Sequence, residues 1–358
     1  MLTRRLLLAQ MAASGVTAGL RPSIVPDAER GLRDIAARRG ILYGSATATY
    51  ELKDLAFAAV LAREAAIIVA EYEMKRSDIE TAPGVYDFSA CDALLRYAHD
   101  HGMAFRGHTL VWHAKNPPWM EYALTQSGAE RQLTDYIAAV MGHYRGRLHS
   151  WDVVNEAIKP EDGRADNLRN TIWLKRFGPS YIDIAYHAAR AADPDALLIY
   201  NDWGFELGAP ANDRFRAATL DFLQSALARG VPIQALGMQG HLFAYGAQVD
   251  QRKLAAFLGE IRGMGLKILV TEHDVDDSGG PVDIAARDAA VADASRRFLD
   301  VMLTEPSVMA VLTWGLSDKF LDAPGWRDRL AGRYPRMLPL DSDYRRKPMW
   351  TALARAFA

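Results

Sequence analysis

The chain has 358 residues, half of them hydrophobic and 24% charged, with 42 Lys and Arg against 44 Asp and Glu for a formal charge of −2. That mix excludes a disordered chain and gives no electrostatic basis for nucleic-acid or polybasic membrane binding. The single cysteine, Cys91, excludes an intrachain disulfide and any multi-cysteine metal centre, and it reads as a small buried hydrophobe.

Residues 1–20 read as a targeting segment. Arg4 and Arg5 supply its positive end, residues 6–13 its apolar run, and small residues follow with a cleavage point after Ala18. The run is shorter than the roughly 20 apolar residues of a membrane span. Paired arginines before leucines suggest twin-arginine export, to the periplasm or outside the cell. From Gly31 to the end, one catalytic domain over 31–358 is expected, without linker, repeat or low-complexity tract.

Short apolar runs then alternate with longer amphipathic stretches. Strands are predicted over 41–45, 66–70, 104–108, 150–154, 197–200, 235–239, 268–271 and 310–314. Helical periodicity fills 90–101, 131–144, 180–192, 213–229, 252–264 and 284–303. Such alternation implies a parallel sheet with crossover helices, and about eight units close into a TIM (β/α)8 barrel. An open doubly wound sheet is the alternative, but no glycine-rich nucleotide fingerprint follows any strand. The barrel uses almost every residue, so no separate binding module is expected, and a monomer is the default.

Polar residues gather at the C-terminal ends of these runs: His108, Asn155 and Glu156, Asn201 and Asp202, Gln239 and His241, Glu272, and Trp314. In a parallel barrel these ends share one face, where such enzymes keep their active sites. Glu156 and Glu272 each follow a buried run. Two carboxylates on one rim can act as a glycosidase pair, one protonating the leaving oxygen and the other attacking the anomeric carbon or activating water. Two unrelated glutamates capping helices would look the same. Trp112, Trp119, Trp203, Trp314 and Trp326 fall at or after strand ends, where flat apolar faces suit sugar rings; Trp173 and Trp350 lie on helical stretches and read as core.

The other chemistries have weaker support. His108 and His113 are five apart, not at the i, i+4 spacing of a helical zinc pair, so no metal or other cofactor is expected. Asp274, Asp276 and Asp277 lack a calcium-loop pattern and read as a solvated acidic loop. No Gly-Xaa-Ser-Xaa-Gly elbow is present.

From about Gly44 to Lys347 the chain resembles the family 10 glycoside hydrolases, the retaining endo-1,4-β-xylanases. The resemblance rests on Arg106-Gly107-His108-Thr109-Leu110-Val111-Trp112-His113, Trp151-Asp152-Val153-Val154-Asn155-Glu156-Ala157, Gln239-Gly240-His241-Leu242, Thr271-Glu272 with Asp274, and Trp314-Gly315-Leu316-Ser317-Asp318 followed by Trp326-Arg327. It implies a (β/α)8 barrel acting on xylan or xylo-oligosaccharides through a covalent glycosyl-enzyme, with the carboxyls roughly 5–5.5 Å apart. Glu156 would be the acid/base and Glu272 the nucleophile. Asn155 would bond the sugar 2-hydroxyl. His241 would hold Glu272, Asp274 would orient His241, and Gln239 would sit near both carboxylates. Lys75, His108, Trp112, Trp314 and Trp326 would line the glycone side.

The family's second-strand pattern, Glu-Asn-Xaa-Met-Lys-Trp, reads here Glu71-Tyr72-Glu73-Met74-Lys75-Arg76. Tyr72 stands where an asparagine would bind the second glycone sugar, which implies a reshaped subsite. Arg76 replaces a tryptophan, and its charge suggests contact with an acidic side group such as a glucuronic acid. His273 stands in place of a leucine; neighbours on a strand point to opposite faces, which puts it against the barrel wall. The rival readings are a retaining glycosidase of the same scaffold acting on another β-glycan or a small glycoside, and a non-catalytic sugar-binding barrel.

Overall fold

Each of the eight apolar runs forms a strand: β1 (Leu42–Thr47), β2 (Ile67–Ala70), β3 (Ala104–Val111), β4 (Ser150–Asn155), β5 (Leu197–Asp202), β6 (Ala235–Met238), β7 (Lys267–Asp276) and β8 (Val308–Thr313). The computed structural model describes residues 30–321 and 333–358. The leader expected over 1–20, and Trp326, lie outside them. Every strand pairs in parallel with the next, and β8 pairs with both β7 and β1, closing the barrel. The closing register sets Leu42 beside Ala310 and Ser45 beside Thr313.

Helices on the outside carry the crossovers. Ala129–Tyr144 buries Leu133, Ile137, Val140, Met141 and Tyr144, a stripe spaced to face the sheet. Gln251–Gly263 starts at Asp250, whose carboxylate accepts from the amides of Arg252 and Lys253, and buries Leu254, Phe257, Leu258 and Ile261. Several helices escape the periodicity reading, two of them ten residues long. Leu55–Glu64 is short and carries the exposed Leu55, and Pro348–Phe357 packs against Ile284–Met302. Cys91 is buried, its thiol donating to the Glu73 carbonyl.

Inside the barrel, Ala46, Ile67, Val69, Ile199, Ala235, Leu269, Ala310 and Leu312 pack as a cluster distinct from the larger one between sheet and helices. Above it the interior turns polar, with Arg106 and Asp152 fully buried and paired. That change from apolar to polar filling marks the face where the site lies.

One expectation needs correction here. The acidic stretch after Glu272 is not a solvated loop. β7 runs on to Asp276 because it gains a second partner above the rim, the short strand His241–Phe243, in a register that sets Asp274 beside His241 and Asp276 beside Phe243. Asp276 and Asp277 are buried, and Asp277 pairs with Arg287 at 2.7 Å.

Candidate active site

Strand-end hydrogen bonds fix the polar residues in place. The Glu156 amide donates to the Asn201 carbonyl, the Gln239 amide to Asp202, the Glu272 amide to Gln239 and the Trp314 amide to His273, all at 2.9–3.1 Å. Glu156, Gln239, Glu272 and Trp314 therefore stand around one rim.

Glu156 has φ of 57°, in the left-handed region that a β-carbon disfavours. Its peptide groups are held on both sides, the amide by Asn201 and the carbonyl by Arg169 Nε at 2.7 Å. Strain of this kind is retained where the surroundings over-determine it. The Glu156 carboxylate accepts from Gln239 Nε2 at 3.1 Å and Asn155 Nδ2 at 3.3 Å. His113 Nδ1 lies 3.7 Å away and Arg169 3.9 Å away.

Glu272 sits deeper, 5% exposed. Its carboxylate accepts from Asn201 Nδ2 at 2.9 Å and meets His241 Nε2 at 3.4 Å. Burial pushes the Glu272 carboxyl up, but the His241 bond, the charges of His241 and Lys75, and His108 once protonated outweigh it and lower it to about 2. His241 is bonded on its other nitrogen to Asp274 at 2.9 Å. Burial lowers the imidazole, and Asp274 and Glu272 together raise it well above its ordinary value. Glu272 is thus kept ionised and fixed in orientation, as an attacking carboxylate requires.

Lys75 is buried between the rings of Trp112 and Trp314, its ammonium 5.3 and 5.2 Å from their centroids. Burial lowers it to about 8, against the pull of Glu272, Asp152, Glu71 and Glu156. His108 bonds Asp152 at 2.7 Å and packs edge-on to Trp314. Burial and the Lys75 charge keep its pKa low despite Asp152. Glu71 lies at the end of β2, its amide bonded to Thr47. Burial raises its carboxyl, while Tyr72 and Lys75 oppose the rise. Tyr72 is 44% exposed.

Arg76 corrects an expectation. It opens a helical turn, Arg76–Ile79, and is 4% exposed. Its guanidinium lies 3.9 Å over Tyr136 and 5.4 Å from Trp173, and it bonds Glu80 at 2.7 Å. It does not face the cleft. Trp173 in turn donates to the Trp112 carbonyl at 2.8 Å, so Arg76 backs the wall that carries Trp112. His273 faces the barrel wall, bonding the Gly240 carbonyl and Ser295.

Comparison with known proteins shows the family. The family model for glycosyl hydrolase family 10 matches residues 31–356. The chain belongs to glycosyl hydrolase family 10. It is 32% identical over 297 residues to endo-1,4-beta-xylanase B of Thermotoga neapolitana, covering 82% of this chain and 81% of that protein. It is 31% identical to endo-1,4-beta-xylanase A of Thermotoga maritima over 303 residues, which are 80% of this chain but only 27% of that larger protein. The solved xylanase 10B from Thermotoga petrophila RKU-1, a complex with xylobiose, superposes with a TM-score of 0.80 at 29% identity, covering 91% of this chain and 97% of that one.

In this family-10 chain three contributors to the rim carry no assignment from sequence. Asn201 stands in the polar strand-end pattern, which marks it without giving it a partner. His113 follows Trp112 directly and reaches Glu156. Arg169 lies in the loop after β4 and has no sequence signal; the turn of Glu156 brings the two together.

Proposed function

We propose that this chain is a retaining endo-1,4-β-xylanase. The observation that carries the reading is the unequal treatment of two carboxylates on one rim, joined through Asn155 and Asn201. Glu272 is buried, bonded by His241 and Asn201 and held ionised; it attacks the anomeric carbon. Glu156 is more open to the cleft and gives its proton to the departing oxygen. It then takes one from the water that hydrolyses the glycosyl-enzyme. Asn155 lies beside Glu156, where a bond to the sugar 2-hydroxyl tightens at the transition state. Glu71, Lys75, His108, Trp112 and Trp314 form the glycone wall. The family relatives named as xylanases support xylan as substrate, and the xylobiose complex supports binding of its oligosaccharides.

Tyr72 reshapes the second glycone subsite in this reading. The protein acts as a monomer, exported by a twin-arginine leader cut after Ala18; Arg4, Arg5 and the apolar run behind them support export. The N-terminal sequence of protein from the periplasm or medium tests it, and an intact Met1 in the cytoplasmic fraction overturns it.

Product analysis on linear xylan, glucuronoxylan and cellulose tests the activity, with Glu272→Ala as control. Short xylo-oligosaccharides of retained β configuration are expected, with a loss in the control of at least about 10³-fold. Cleavage of cellulose or an aryl glycoside in place of xylan would shift the reading to another retaining glycosidase.

A further inference from the structure

Residues 239–241 touch both carboxylates. Gln239 Nε2 donates to Glu156 at 3.1 Å, and the Gln239 carbonyl accepts from the Glu272 amide at 2.9 Å. His241 meets Glu272 at 3.4 Å. Gly240 lies between them, in the joint between β6, which ends at Met238, and the short strand His241–Phe243. It is buried, with φ of 78°, a conformation that favours glycine.

A buried peptide group outside a strand needs partners from elsewhere. The Gly240 amide donates to Glu206 Oε1 at 3.0 Å. The Gly240 carbonyl accepts from His273 Nδ1 at 2.8 Å. His273 is fully buried, and its Nε2 lies 2.7 Å from Ser295 Oγ on the helix Ile284–Met302. A carbonyl can only accept, so the ring proton sits on Nδ1 and Nε2 accepts from the serine hydroxyl. The neutral ring satisfies both bonds, and burial holds its pKa low. The Gly240 carbonyl belongs to the same planar peptide unit as the His241 nitrogen, so fixing its direction fixes where the His241 side chain departs.

We propose that His273 is a positioning residue for the reaction: by holding the Gly240 carbonyl it aims His241 at Glu272. A leucine, the residue the family resemblance implies at this place, has no donor for that carbonyl. The charged groups around the His241 imidazole are Asp274 and Glu272 from β7 and Glu206 from the loop after β5. The proposal rests on the reading of Glu272 as the attacking carboxylate, and its test separates the two.

His273→Leu removes the donor and keeps an apolar filling. Its kcat is expected to fall about tenfold with KM unchanged, because a misaligned nucleophile costs rate and His273 touches no sugar. The acid limb of kcat/KM moves to higher pH, since the His241 bond offsets the burial of Glu272. His273→Asn, whose Nδ2 takes the place of the imidazole Nδ1, is expected to recover most of both. A lower melting temperature in His273→Leu with kcat and the acid limb unchanged overturns the proposal, and so do equal losses in the leucine and asparagine variants. NMR titration of the His241 ring gives a readout independent of turnover. Its midpoint is expected to drop by about one pH unit in His273→Leu as the contacts with Asp274 and Glu272 loosen; an unmoved midpoint overturns the proposal. If the leucine variant does not fold, Ser295→Ala, which frees the outer side of the ring, decides by the same titration: a smaller drop supports the tie and no drop overturns it. If the unmodified protein leaves xylan uncleaved, the xylanase reading fails while the titration still decides the tie.

Discussion

Asn201 Nδ2 donates to Glu272 Oε1 at 2.9 Å and to Asn155 Oδ1 at 2.8 Å, so one amide group ties the strand of the proposed nucleophile to the strand of the proposed acid/base. Its own oxygen accepts from Thr271 at 2.7 Å, which fixes the amide's orientation. Gly237 leaves the room: a β-carbon there would lie 2.3 Å from that oxygen. Asn201→Ala is expected to lower kcat by about 10²-fold, the scale of losing one preorganised donor. It should also cost about 1–3 kcal/mol of stability by stranding Thr271. Gly237→Ala should reproduce the loss of kcat without removing a donor. Initial rates and thermal melts of the two variants check both expectations.

The pH response depends on His241. Glu272 has an ordinary value of 4.5 and is held at about 2, so the unmodified protein keeps this carboxylate charged across most of the acid range. A lowered carboxyl adds stability that is present above pH 4.5 and is lost as pH falls towards 2. In His241→Asn the imidazole's hydrogen bond and charge are gone while the burial remains, so the Glu272 carboxyl rises. The acid limb of the kcat/KM profile should then move to higher pH. A limb in the same place in both proteins would contradict the assignment.

Arg76 is buried with Glu80, which is 1% exposed. Removing one partner of such a pair leaves a buried charge, at a cost of about 3–5 kcal/mol. Arg76→Ala should therefore lower the denaturant midpoint markedly. The ratio of activities on glucuronoxylan and linear xylan should stay the same, since the side chain does not reach the cleft.

Tyr72 stands half-exposed next to Glu71 at the proposed second glycone subsite, where the family resemblance implies an asparagine contact. Restoring it with Tyr72→Asn is expected to raise kcat/KM on long xylo-oligosaccharides about fivefold, equivalent to about 1 kcal/mol. Little change is expected on substrates too short to fill that subsite. Kinetics on a ladder of chain lengths measure this directly.

The eight strands and both carboxylates were legible in the sequence because local signals coincide there. A buried run such as Ile268-Leu269-Val270 must be covered on both faces, and the first acid after it has to emerge at the rim. Parallel closure then places Glu156 and Glu272 on the same face with no further information. The region after Lys75 offers no such regularity. A short helical turn decides where Arg76 points, and the aromatic floor of Tyr136 and Trp173 receives it from residues 60 and 97 positions away.

The sequence by itself determined the barrel and set both glutamates at the ends of strands on its rim, since strand period and chain order are local properties, while their roles came only from the family resemblance. Only the tertiary structure decided what each glutamate feels. Asn201, Arg169 and the His241–Asp274 pair reach the carboxylates across strands and loops, and β7 continues past the rim because a segment 33 residues earlier pairs with it. Hydrogen bonds and burial depend on distances in space, and no spacing along the chain encodes them.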